Sequence, residues 1–276
     1  MARLRRSNHV LPGFRLGLGL TLAVLGLLVL LPLGALALRA ASIGPAEFWD
    51  AVTSRRALMA YRLSFGGALI AALVNAVFGF ATAWVLVRYR IPGRGILDGL
   101  IDIPFALPTA VAGLALTALY APNGWLGSML VPLGIRVAYT QVGVCVAMVF
   151  VGLPFVVRTV QPVLADIETE LEEAATSLGA SRWVTFRRVL LPMLMPAVLA
   201  GFALAFARAV GEYGSVIFIA GNMPGETEIA PLLIVNRLEE FQYGHAAAIG
   251  VAMLLVSFVV LMSVNLFQAW SSRWSR

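Results

Sequence analysis

Arg208 and Glu212 stand four positions apart inside an apolar run, and of all the residues in this sequence their types and spacing point most directly to chemistry. At that spacing the two side chains share a helix face. Near the middle of a bilayer each charge would cost about 2.5 to 3.5 kcal/mol on insertion scales, so both must face protein or water. Arg208 could help an anion through a cavity, with Glu212 holding the guanidinium and limiting its attraction so that the anion is not trapped. The pair could equally lock a helix bundle or its gate. Tyr213 and Ser215 beside it offer neutral donors, which release an anion more readily than charge does. Other chemistries are excluded. All 20 basic residues are arginine, so the phosphate-binding loop that ends in Gly-Lys-Ser/Thr is absent. Cys145 is the one cysteine and lies in an apolar run, which leaves no disulfide or thiol pair and suits packing as a small apolar residue. No cluster of His, Cys or carboxylates has catalytic or ligand spacing, and His9 and His245 lie near helix ends; the expectation is no metal, no cofactor and no enzyme.

The elements that must position these residues are membrane helices. Of 276 residues 60% are apolar and 12% charged, against about 25% charged in soluble domains, and the mean hydropathy is +0.89. Runs of about 18 or more apolar residues mark spanning helices, because only helices satisfy their own backbone in hydrocarbon. They predict an all-α polytopic membrane protein with about six crossings, near 16–38, 64–87, 103–120, 140–157, 193–220 and 246–270. The first resembles a signal peptide, but its apolar stretch exceeds a typical signal core and predicts an uncleaved helix.

With the N-terminus inside, Arg3, Arg5, Arg6, Arg15, Arg88, Arg90, Arg94, Arg158, Arg182, Arg187, Arg188, Arg273 and Arg276 are cytoplasmic. Arg39, Arg55, Arg56, Arg62, Arg136 and Arg237 fall outside. That asymmetry places both termini in the cytoplasm. The pI near 10.2 is thereby explained as topology rather than nucleic-acid binding. Asp98 and Asp102 begin the third crossing, where carboxylates suit a helix N-terminus. Pro104 and Pro108 should kink or unwind that crossing. Asn75 and Asn265 should bridge helices by hydrogen bonds. Outside, residues 221–225 should turn the chain before a half-buried helix within 227–241.

The longest cytoplasmic segment, 159–192, reads as two short helices with a glycine break. Asp166 can cap the first, and Gly179 can take the left-handed conformation that stops it. Ser181 can cap the second, whose Trp183, Phe186 and Leu190 share a face suited to a membrane or partner surface. Glu173-Ala174-Ala175, three residues, Gly179, nine residues, Val189, one residue, Leu191-Pro192 resembles the E-A-A-x(3)-G-x(9)-I-x-L-P loop of permease subunits of bacterial ABC importers. Val189 replaces the usual isoleucine.

The resemblance continues through 102–113, 120–125 and 211–225, which look like the T-type permease of sulfate/thiosulfate importers; molybdate and tungstate permeases share parts of these runs. It implies a type I importer permease fold, with 1–276 a single permease domain in the bacterial inner membrane. It also implies that Glu173, Ala174, Ala175, Gly179, Val189, Leu191 and Pro192 couple to a dimer of separate ATPase subunits, which bind ATP and Mg. A second permease and a periplasmic sulfate/thiosulfate-binding protein complete the implied assembly. An ion-gradient carrier with Arg208 and Glu212 as a proton relay is the reading from a different class.

Overall fold

The computed structural model describes residues 14–271, without the side chains of Arg15, Asn265 and 267–271. Arg3, Arg5, Arg6, His9, Arg273 and Arg276, like the Arg15 and Asn265 side chains, therefore lie outside what is described. The described chain is helical. Helix α1 covers 14–41, α2 Pro45–Thr53, α3 Arg55–Arg88, α4 Arg94–Ala106, α5 Thr109–Tyr120 and α6 Gln141–Ala165. Then come α7 (Thr169–Ser177), α8 (Arg182–Val210), α9 (Ala230–Glu239) and α10 (Tyr243–Ser271). Five helices are long and apolar enough to cross a membrane, and a sixth crossing exists if the bent pair α4 and α5 counts as one.

The crossings differ from the hydropathy expectations at their ends. The second begins at Arg55 rather than near 64, because Ser54 caps it and nothing outside the hydrocarbon requires apolar residues. The third begins at Arg94 and is broken as the prolines suggested, though at Pro108 and not at Pro104, which stays inside α4: Leu107 is extended, Pro108 donates no backbone hydrogen bond, and α4 meets α5 at a 113° bend. The fourth runs on to Ala165, which places Arg158 inside the helix. The fifth ends at Val210 instead of continuing to 220; Gly211 to Ser215 is a turn before a single helical turn at Val216–Ile219. The last extends slightly beyond both ends of 246–270.

Small residues hold the centre together. Helix α3 buries Gly67, Ala68, Ala71, Ala72, Gly79 and Ala83 against α6 and α8, and Ala60 and Ser64 against α9 and α10. Without side-chain bulk the backbones approach closely, and packing of this kind replaces the hydrophobic drive that lipid removes. A Cβ on Gly79 would lie 2.8 Å from Val156 Cβ, and one on Gly201 would lie 2.8 Å from Val156 Cα. Asn75 is fully buried at this crossing beside Gly152, yet neither of its amide atoms has a hydrogen-bond partner among the described residues. The expected bridge from Asn75 is therefore absent from the described structure. At the edge, the second half of α1 packs on α10, while the most apolar stretch of α1 buries none of its residues within the chain. Helix α9 packs on α10 and α3, burying Ala230, Leu232 and Leu233, as its sequence position suggested.

Candidate coupling and translocation sites

The 159–192 segment forms the first site. Glu168, not Asp166, precedes α7, and it makes no side-chain cap; the acidic Glu170 and Glu172 of the first turn suit the positive end of the helix instead. The helix ends in a two-bond stop: Ala180 N–H donates to Ala175 O at 3.0 Å and Gly179 N–H to Thr176 O at 2.9 Å, with Gly179 at φ +82°. This pattern needs a left-handed residue, which glycine supplies without strain. A Cβ at Gly179 would meet nothing within 4 Å, so here the backbone conformation and not space demands the glycine. Glu173 and Ala174 are exposed, and Leu178 at the tip is 89% exposed.

After the stop, Ser181 Oγ accepts from Val184 N–H at 3.4 Å and starts α8, as its sequence position suggested. This second helix does not lie apart on a surface: it runs unbroken into the fifth crossing. Phe186 stands edge-on to Trp84 of α3 at 5.4 Å and stacks with Trp183 at 5.6 Å, while Leu190 is buried. Continuity past Pro192 is achieved by a wide π turn at Phe186–Leu190. Such a turn accommodates a proline whose ring would otherwise meet the carbonyl four residues earlier. The same device appears in α1, where a π turn at Gly26–Leu30 precedes Pro32.

Helix α7 is tied to the bundle by an ion pair, Glu172 Oε1 to Arg88 Nη2 at 2.6 Å, and the Arg88 guanidinium also lies over the Trp84 ring. A separate contact has Arg158 of α6 gripping α4. Its guanidinium donates to both carboxylate oxygens of Asp102 at 2.9 and 2.7 Å, to Asp98 Oδ1 at 2.8 Å and to Gln161 Oε1 at 2.7 Å. Asp98 and Asp102 are therefore ligands of an arginine across a helix interface, not merely charges at a helix end. Bidentate geometry of this kind fixes direction as well as distance.

The second site lies where the two broken crossings meet. Glu212 is 1% exposed; Arg208 pairs with it, and its Oε1 accepts from both the N–H and the hydroxyl of Ser215 at 2.8 Å. The Ser215 hydroxyl therefore holds the turn. The Arg208 side chain is one-third exposed and makes no further polar contact among the described residues. Tyr213 is half-buried against the core. The start of α5 presses on this turn. A Cβ on Gly113 would lie 2.4 Å from Ser215 O, and one on Gly214 would overlap the Thr109 hydroxyl. The bend at Pro108 is thus what brings α5 against the Arg208–Glu212 turn.

At the other end of α3 is a cluster that sequence reasoning did not find. Arg56 Nε and Nη2 donate to the two oxygens of fully buried Glu228, each at 2.7 Å, and Asn236 Nδ2 adds a third bond at 2.7 Å. The partners are 172 positions apart in sequence. Cys145 is half-buried near Met148, and His245 faces Glu47 at 3.4 Å. Among the described residues no group of His, Cys, Asp and Glu is placed to hold a metal.

Comparison with known proteins gives one consistent family. Residues 75–276 match the family model described as binding-protein-dependent transport system inner membrane component. The sulfate transport system permease protein CysT of Escherichia coli K12 is 49% identical over 95% of this chain and 95% of its own length. A probable sulfate transport system permease protein cysT of Nephroselmis olivacea is 53% identical over 91% of this chain and 88% of its own. Among solved structures, a bacterial ABC transporter involved in import of the acidic polysaccharide alginate aligns with TM-score 0.76 at 15% identity. That alignment covers 93% of this chain and 96% of that one. An inward-facing MetNI methionine ABC transporter aligns with TM-score 0.54 at 17% identity, over 75% and 94%. These two establish the shared fold.

Proposed function

The chain belongs to the family of binding-protein-dependent transport system inner membrane components, and from that premise we propose that it is the T-type permease of an ATP-driven sulfate importer. It is an integral inner-membrane transport permease. In the proposed assembly it is non-catalytic: ATP and Mg are bound by a dimer of separate ATPase subunits, consistent with a sequence that has no lysine. A second, different permease completes the pathway, and a periplasmic sulfate/thiosulfate-binding protein delivers the anion. Both termini and the 159–192 segment face the cytoplasm.

The observation that carries this reading is α7 with its glycine stop. It is a short exposed helix whose Glu173 and Ala174, with Leu178 just after it, are open to a partner, while the π turn joins its arm without a break to the crossing that bears Arg208. Small side chains at Ala174, Ala175 and Gly179 leave room for a partner's backbone. Val189, Leu191 and Pro192 form the joint itself. When the ATPase dimer closes, the arm moves with α7 and α8 carries that motion to the turn at 211–215. The nucleotide state is thereby linked to which side of the cavity is open, as any coupling free energy requires. Arg208 supplies the charge that meets the anion, and Glu212 limits how tightly it is held. Tyr213 is the neutral donor beside them, and Ser215 keeps the carboxylate in place.

The test is sulfate uptake in vesicles containing the reconstituted complex. Uptake should require ATP and the ATPase subunits and survive a protonophore. Uptake by this chain alone, driven by an ion gradient, would overturn the reading in favour of a secondary carrier, and preference for molybdate or tungstate would reassign the substrate.

A further inference from the structure

A cavity of about 960 Å³ opens beside the coupling arm, at the Arg88 end of α3. Its wall is aromatic, with Phe80 and Trp84 from α3 and Trp183 and Phe186 from the start of α8, and Arg90 and Arg182 stand among its lining residues. Both arginines are exposed, and neither has an ion-pair or hydrogen-bond partner among the described residues. A second cavity of about 480 Å³ shares Ala81 and Val85 with the first and continues toward Leu97, Leu100 and Ile101 of α4. The two meet along Ala81 and Val85 of α3 and form an open apolar groove, with both cations in the lining of the first.

We propose that this groove binds an anionic phospholipid of the cytoplasmic leaflet, its phosphate against Arg90 and Arg182 and an acyl chain along Phe80, Ala81 and Val85. The chemistry is specific on both counts. An open apolar surface that extends from the first cavity into the second suits a long hydrocarbon chain better than a compact solute. Two unpaired guanidiniums where α3 leaves the bilayer suit a phosphate, and basic pockets between spanning helices on the cytoplasmic side are recurrent sites for anionic headgroups. Trp183 and Phe186 belong to the arm that carries α7, so a lipid seated here braces the arm against α3. The side of the membrane rests on the coupling reading above; the groove itself does not.

The experiment uses the complete importer extracted from bilayers of phosphatidylcholine containing phosphatidylglycerol, with retained lipid read by native mass spectrometry. Wild type should retain phosphatidylglycerol in preference to phosphatidylcholine, and millimolar inorganic phosphate should not displace it. The double variant Arg90→Gln, Arg182→Gln should lose that preference about tenfold. Ala81→Trp, which fills the groove and keeps both charges, should lose retained lipid of both kinds; if it fails to insert, the exposed arginine pair decides alone. Equal retention by the double variant, no preference for the anionic lipid, or crosslinking of Trp183→Cys to the second permease instead of to a photoactivatable lipid would overturn the proposal. Labelling of Leu178→Cys from the cytoplasmic side is read separately. Failure there removes the coupling reading without touching the lipid result.

Discussion

Helix α3 is held by an arginine–glutamate pair at each end, and the two pairs are built differently. At the Arg56 end the carboxylate of Glu228 is fully buried and receives three hydrogen bonds, two from one guanidinium. At the Arg88 end Glu172 keeps about a third of its side chain exposed and meets its arginine at a single short contact. A fully buried carboxylate that loses its partner is costly, whereas one like Glu172 that keeps part of its side chain in water loses less. The first pair therefore fixes α3 to the loop before α9, and the second lets α7 lean on α3 without welding it there. Tight at one end and yielding at the other is the arrangement expected of a helix that must stay anchored while a neighbouring arm moves.

Removing the tight pair should have the largest effect. Arg56→Ala leaves Glu228 buried with Asn236 alone, and thermal unfolding of the purified complex should report a loss of about 3 to 5 kcal/mol. A melting temperature within error of wild type would break the contrast. Next comes Gly179→Val. A β-branched residue at φ +82° carries strain of about 1 to 3 kcal/mol, concentrated in the stop that aims α7. Sulfate uptake should collapse while the amount inserted in the membrane, measured by immunoblot, stays unchanged; normal uptake would count strongly against the coupling proposal. Arg88→Gln should change stability by only about 0 to 1 kcal/mol, yet raise the ATP hydrolysed per sulfate imported; a melting shift as large as that of Arg56→Ala would make the two ends equivalent. Smallest on stability is Leu178→Asp, because that side chain is already 89% exposed. It should leave melting untouched and weaken ATPase association in a pull-down, and unaltered association would show that the loop tip lies outside the contact.

Much of this architecture was legible beforehand, and what was hidden has physical causes. Apolar runs located the crossings because hydrocarbon accepts little else, and Gly179 could be read because a helix stop demands a left-handed residue. Hydropathy windows could not see that α3 begins at Arg55, since nothing outside the bilayer requires a helix to be apolar. The same windows carried the fifth crossing through the apolar Val216–Ala220 stretch, although Gly211, Gly214 and Ser215 were available as turn signals. Arg56–Glu228 and the Arg158 grip on Asp98 and Asp102 were out of reach. Their partners are separated by 172, 60 and 56 positions and meet only once the bundle exists. Of the site residues, Arg208 and Glu212 stood out as charges in an apolar setting, but spacing alone did not assign the Ser215 hydroxyl to Glu212.

Helix α3 is far longer than a crossing requires. Its 34 residues form one continuous helix with no internal proline, about 51 Å long at 1.5 Å per residue, well beyond the roughly 30 Å hydrocarbon thickness. With the Arg56 end clamped, a tilt of only 5° would sweep the Arg88 end through roughly 4 Å by lever geometry alone. The molecule thus has a built-in pointer: a modest pivot at one face becomes a displacement of nearly a full helical turn at the other, with no bending of the helix itself.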